Sequence, residues 1–234
     1  MRGRRRAALI IAGYAGLSLY FTYPLLASGD RLGISDWDAL LFQHAAVARS
    51  VFEYGQAPFW NPWYCGGNVL WQNPQAPLLS PAYLFAPFVS IALAMKVSIS
   101  LHYLAGFIGM HLLLTRLMRV TWYPAVLFAA ALFVLAGGPA LHLVVGHATF
   151  LPYFYLPWFL YCLIRAVDRF DGRVVVAAGG ILALCIYMGG LYVAYMAGVS
   201  AACFAAVAAA CGRDWGPLAA VMGVGVFMGV FAAP

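Results

Sequence analysis

From Val120 to Ile164, and again from Val174 to Gly212, the chain carries no Asp, Glu, Lys or Arg. Uncharged apolar runs of this length belong in lipid, where helices satisfy every backbone polar group internally. The whole chain is 65% hydrophobic and 9% charged, which excludes an ordinary soluble core. Each run is too long for one span of about 20 residues, and each contains a glycine break. Gly137-Gly138-Pro139 interrupts the first, with an outer connection expected over Leu141 to Thr149. Gly189-Gly190 turns the second into a hairpin.

Other apolar stretches add to these. Residues 7–28 form a first span, Val97 to Thr115 a second, and Trp215 to Pro234 begins a seventh. Ala27-Ser28-Gly29 resembles a signal cleavage site, but the apolar run before it is longer than a signal h-region, so an uncleaved span is expected. The basic residues mark orientation. Arg2, Arg4, Arg5, Arg6, Arg116, Arg119, Arg165, Arg169, Arg173 and Arg213 fall on one side of a seven-span topology, leaving Arg31, Arg49 and Lys96 on the other. The positive-inside rule then puts the N-terminus in the cytoplasm. The net charge of +6 follows this pattern rather than forming a nucleic-acid-binding face. The expected fold is an all-α polytopic membrane protein in a single transmembrane domain. It has about seven helices, a large structured first extracytoplasmic loop over residues 29–95, and the remaining spans over 97–234. The abrupt apolar end predicts the N-terminal portion of a longer protein.

The loop concentrates the chemistry. Between Ser35 and Pro87 lie three of seven carboxylates and four of seven tryptophans. Ser35 to Tyr54 is amphipathic, with Trp37, Leu40, Leu41, Ala45, Ala48, Val51 and Phe52 at helical spacing, and predicts a surface helix ended by Gly55. Seven prolines and glycines from Pro58 to Pro81 exclude regular helix beyond it. Ser80 to Ala94 reads as a second interfacial or re-entrant segment.

Asp36 and Asp38 are the leading catalytic candidates. A carboxylate at a membrane face can serve as general base, or hold a divalent cation such as Mg or Mn against a sugar phosphate. The structural alternative is that Ser35 and Asp38 form a capping box. Glu53 is a third acid or a solvated one. Trp60, Trp63 and Trp71, among Asn61, Asn68, Gln72, Asn73 and Gln75, suit a sugar through stacking and amide hydrogen bonds, and equally suit interfacial anchoring. His142 and His147, on the same side as the acids, are candidates for phosphate binding or proton transfer, His147 ahead of His142. His102 and His111 are expected to bond between helices, and His44 is ambiguous. Among the five cysteines only Cys65 is in the loop, and no metal-ligand spacing occurs.

Several of these blocks resemble a family. Asp36-Trp37-Asp38, Glu53 to Gly67 (EYGQAPFWNPWYCGG), Asn73-Pro74-Gln75, Leu79-Ser80-Pro81, Gly146 to Pro152 (GHATFLP) and Tyr155 to Trp158 (YLPW) are similar to bacterial YfhO-like membrane proteins of the GT-C glycosyltransferase superfamily. The resemblance implies an enzyme of the bacterial inner membrane that takes a sugar from a polyprenyl-phosphate donor to a glycan, lipid or protein acceptor outside the cell. It implies loop acids at Asp36 and Asp38, with His147 in the later block. Glu53, Trp60, Asn61, Trp63 and His142 are expected to contact substrate. The rival readings are a non-catalytic membrane subunit and a lipid-linked glycan transporter. The subunit reading draws on Gly189, Gly190, Gly198, Gly223, Gly225 and Gly229 as packing positions. The transporter reading requires ionisable groups in the span interiors, and these are scarce.

Overall fold

A computed structural model of the chain describes residues 2–71, 73, 76–212 and 214–233. The side chains of Arg2 and Arg4, and all of Gln72, Pro74, Gln75, Arg213 and Pro234, lie outside the described residues. Among the described residues nine α-helices form the fold: α1 (Arg2–Leu26), α2 (Trp37–Phe52), α3 (Ile91–Leu112), α4 (Tyr123–Val134), α5 (Gly137–Val144), α6 (Leu156–Asp168), α7 (Gly172–Tyr187), α8 (Leu191–Gly212) and α9 (Gly216–Ala232). Among the described residues the only strands are β1 (Trp60–Asn61) and β2 (Asn68–Val69), a short antiparallel hairpin.

Among the described residues five helical stretches are long and apolar enough to cross a membrane: Arg5–Leu26, Ile91–Leu117, Tyr123–Val144, Ala148–Asp168 and Leu191–Gly212. The protein is therefore an all-α membrane protein. Helices α7 and α9 are apolar but shorter, with 16 and 17 residues, or about 25 Å at 1.5 Å per residue.

Helix α3 lies at the centre, against α1, α4, α6 and the loop. Its contact with α1 is threaded by polar pairs, the alternative in lipid being an unsatisfied group. Tyr14 Oη lies 3.0 Å from His111 Nδ1, Ser18 Oγ donates to Ser100 O at 2.5 Å, and the hydroxyls of Thr22 and Ser100 are 2.7 Å apart. His111 thus bonds between helices as expected. His102 turns to its own helix, where its Nδ1 lies 2.7 Å from Ser98 O. Around these pairs a first core collects Tyr14, Trp37, Met95, Ile99, Phe107 and Phe154. A second joins α6 to α9 through Phe159, Leu163, Val175, Leu182, Ala201 and Val224. A third, smaller core of Ala46, Val47, Leu70, Ala76 and Leu78 lies beneath the loop, so this segment has a packed interior of its own. Most large side chains outside these cores, such as Leu9, Phe128 and Val207, are exposed along the apolar helices, the surface a bilayer covers.

Several local expectations are corrected. Helix α3 begins at Ile91, six residues before Val97, because Ser90 Oγ accepts the Leu93 amide and caps it. The expected second interfacial segment reduces to a 3-10 turn, Pro81–Leu84, capped by Ser80. The break near Gly137 falls at Leu135–Ala136 instead, and Gly137-Gly138-Pro139 opens α5. Proline is tolerated in a first turn, where its missing N–H would have no helical partner. On α2 the buried face runs through Trp37, Leu40, His44, Val47 and Ser50, whereas Val51 and Phe52 are exposed. Lys96 stays at the loop end of the bundle, where the charge count places it, but is fully buried and donates to Ser28 Oγ at 2.8 Å and to Gly29 O. The turn at Gly189-Gly190 forms where the glycines predict it, between α7 and α8.

Candidate functional site

The segment Gly33 to Trp37 docks onto the C-terminal end of α5. The last carbonyls of a helix have no partner within it, and here another part of the chain supplies the donors. Ile34 N–H donates to Val144 O at 2.9 Å, Asp36 N–H to Val145 O at 3.1 Å, and Trp37 Nε1–H to Leu143 O at 2.7 Å. Two glycines permit the approach. A Cβ on Gly33 would fall 2.4 Å from both Trp37 Nε1 and Val144 O, and one on Gly146 would fall 2.5 Å from Trp37 N. Gly146 also has φ +86°, a region costly for any residue with a Cβ.

The docking brings together two of the three candidate catalytic residues. Asp36 Oδ2 lies 3.2 Å from His147 Nε2, and the opposite edge of that ring continues inward, His147 Nδ1 being 3.3 Å from His142 Nδ1. The His142 ring is stacked on Phe150, centroids 3.9 Å apart, and Phe150 on Tyr192 at 6.2 Å. Ser35 sits at φ +64° and donates Oγ–H to Asp36 Oδ1 at 3.3 Å. The line Asp36, His147, His142 is half-exposed, the Asp36 and His147 side chains being 60% and 44% accessible. A carboxylate on one ring nitrogen holds the proton there and stabilises an imidazolium. With the His147 Nε2–H facing Asp36, its Nδ1 is left to accept from His142 Nδ1–H. Charge gained at His142 can thus be passed toward the carboxylate.

Asp38 lies elsewhere. It is exposed in the first turn of α2, where the helix dipole favours a negative charge. The capping box does not form: Asp36 occupies the N-cap position and its side chain makes no capping bond. A metal at Asp36 or Asp38 would rest on one protein carboxylate, completed by water and substrate phosphate oxygens. Asp36 is committed to His147, His147 meets its two neighbours with opposite ring edges, and no group of three or more His, Cys, Asp or Glu among the described residues could hold a metal ion.

The aromatic candidates lie at the far end of α2. Its 16 residues separate Asp36 from Glu53 by about 24 Å. There Arg49 Nε–H donates to Glu53 Oε2 at 2.7 Å, the Arg49 guanidinium lies 5.3 Å from the Trp63 ring centroid, and Trp63 stacks on Tyr54. Glu53 is therefore an ion-paired surface acid. Asn61 is buried, its Oδ1 accepting the Trp63 amide at 3.1 Å, which makes it part of the hairpin rather than an open contact. Trp60 and Trp63 remain half-exposed beside Tyr54, Gln56 and Phe59 around a cavity of about 640 Å³. An apolar groove of about 450 Å³ adjoins it between α2 and α7, lined by Val51, Phe52, Trp71, Leu79, Tyr83 and Tyr187.

His44 is a core residue, its Nδ1 3.0 Å from Leu40 O, and burial pushes its pKa down to about 4. Trp37, Gly33 and Gly146, which build the site, carried no functional reading from sequence. The usable signal was Gly146 directly before His147. No protein-family model matches the chain, and neither a curated protein nor a solved structure matches it.

Proposed function

We propose that this protein is a membrane glycosyltransferase moving a sugar from a polyprenyl-phosphate donor to an extracytoplasmic acceptor in the bacterial inner membrane, with Asp36, His147 and His142 as its proton relay. The observation that supports this reading is the unbroken line from the Asp36 carboxylate through both edges of His147 to His142. It lies at the loop-bearing end of an apolar bundle, where a lipid-borne donor would present its phosphate. The acceptor oxygen attacks the anomeric carbon as the carbon–oxygen bond to phosphate breaks. The acceptor proton passes to the histidine pair, and polyprenyl phosphate leaves with inversion at the sugar. Asp36 keeps His147 in the productive tautomer and offsets the charge it gains. Trp60 and Trp63, about 24 Å away along α2, suit a remote sugar unit of a glycan acceptor rather than the reacting one.

The test is transfer of radiolabelled sugar from a panel of polyprenyl-phosphate donors in membranes. Asp36→Asn and His147→Asn are each expected to lower the rate by about 10²- to 10⁴-fold, whereas Asp38→Asn should retain it. If both relay variants transfer at the unsubstituted rate, or if no donor is used at normal membrane levels, the enzyme reading fails and the membrane-subunit reading leads.

A further inference from the structure

At the opposite end of α1 and α3 from Asp36 there is a cavity of about 660 Å³ that no part of the proposed chemistry uses. Its size is in the range of small-molecule sites. Arg6, Tyr14, His111, Thr115, Arg116 and Thr121 line it with polar groups, and isoleucines of α1 and α3 form its apolar wall. Arg6 is held over the Tyr123 ring, 4.5 Å from the centroid. Arg116 is carried on a π-helical extension of α3, Leu113–Leu117, a distortion found mostly at functional positions. Arg119, just beyond, has φ +55°. Among the described residues no carboxylate pairs with either lining arginine. No acid occurs before Asp30 or between Lys96 and Asp168, and among the described residues the ion pairs are those of Arg49 and His147, not of Arg6 or Arg116.

We infer that this cavity binds the phosphate headgroup of an anionic phospholipid, with an acyl chain along the isoleucine wall. Two unpaired guanidiniums and the Thr121 hydroxyl supply the donors that a phosphodiester accepts, the Thr115 hydroxyl being given to His111 O at 2.7 Å. The apolar wall between α1 and α3 gives a tail a surface that a free anion would leave uncovered. Basic pockets between apolar helices have this chemistry. The inference stands apart from the glycosyltransferase reading.

The experiment is native mass spectrometry of the full chain in neutral detergent, titrated with phosphatidylglycerol or phosphatidylcholine of the same acyl composition. The unsubstituted protein is expected to retain one phosphatidylglycerol with a preference of roughly tenfold or more. Arg6→Gln/Arg116→Gln should abolish that preference, and Arg169→Gln/Arg173→Gln, which removes two charges outside the cavity, should preserve it. Should the double Gln variant not fold, Arg116→Lys keeps the charge and is expected to weaken retention severalfold through loss of the paired guanidinium donors. Absence of a preference, equal loss in the Arg169/Arg173 variant, or unchanged retention in Arg116→Lys would overturn the site. Stoichiometric displacement of the lipid by millimolar inorganic phosphate would also overturn it, as the mark of a free-phosphate site.

Discussion

The indole of Trp37 donates to the carbonyl of Leu143 at 2.7 Å, and through that bond the first residue of α2 is tied to the end of α5. Trp37 is only 4% exposed, so the bond is made largely out of water. Trp37→Phe keeps the packing and removes the donor. We expect it to cost about 1 kcal/mol, read as a lower thermal midpoint in detergent. Gly146→Ala should cost more, since its Cβ would meet the Trp37 backbone. Equal midpoints for all three proteins would rule out this docking.

The close pairing of α7 with α9 sets a second expectation. A Cβ on Gly179 would lie 2.8 Å from Phe227 Cβ and 2.9 Å from Val224 O, whereas one on Gly198 meets nothing within 4 Å. Gly179→Val should destabilise by about 1–3 kcal/mol through overpacking, and Gly198→Val should be tolerated. The contrast also sorts the glycines read as packing positions. Gly190 and Gly223 meet Pro152 and Val175 within this chain, and Gly198, Gly225 and Gly229 face open space. Comparable expression and melting of both variants would contradict the observed helix contact.

A pH dependence follows from His44. Burial lowers its pKa to about 4 in the fold, whereas an unfolded histidine titrates near 6.5. Between these values the unfolded chain takes up a proton that the folded chain refuses. The contribution to stability is therefore complete above about pH 6.5 and is lost as pH falls toward 4, by on the order of 3 kcal/mol. The melting midpoint of the unsubstituted protein should fall relative to that of His44→Leu from pH 7 to pH 4.5. A constant difference across that range would show that His44 is not titrating.

Orientation is open to chemical labelling. Cys65 is exposed at the β1–β2 turn, while Cys185 is buried in α7. If the loop is extracytoplasmic, a membrane-impermeant maleimide applied to cells with a permeabilised outer membrane should label Cys65. Cys65→Ser should abolish the signal. With Cys203 and Cys211 of α8, which are also exposed, replaced by Ser, labelling that requires disruption of the inner membrane would invert the topology.

Composition and periodicity determined the material class of this protein and much of its outline. Uncharged runs select lipid, Gly189-Gly190 turns the chain because a hairpin needs a left-handed residue, and the prolines from Pro58 to Pro81 keep that stretch out of helix. These are local effects, readable over a few residues. Which carboxylate meets which histidine is not local. Asp36 rather than Asp38 reaches His147 because the carbonyls at the end of α5 accept donors from Ile34, Asp36 and Trp37, and hydropathy carries no trace of that docking. The separation of Trp60 and Trp63 from Asp36 was likewise decided by the folded length of α2, although the chain places all three in one loop. Lys96 and His44 were buried, and Arg6 set beside Arg116, by the packing of α1, α2, α4 and the loop around α3. The energy of a buried or paired charge depends on its spatial neighbours, which only the tertiary structure supplies.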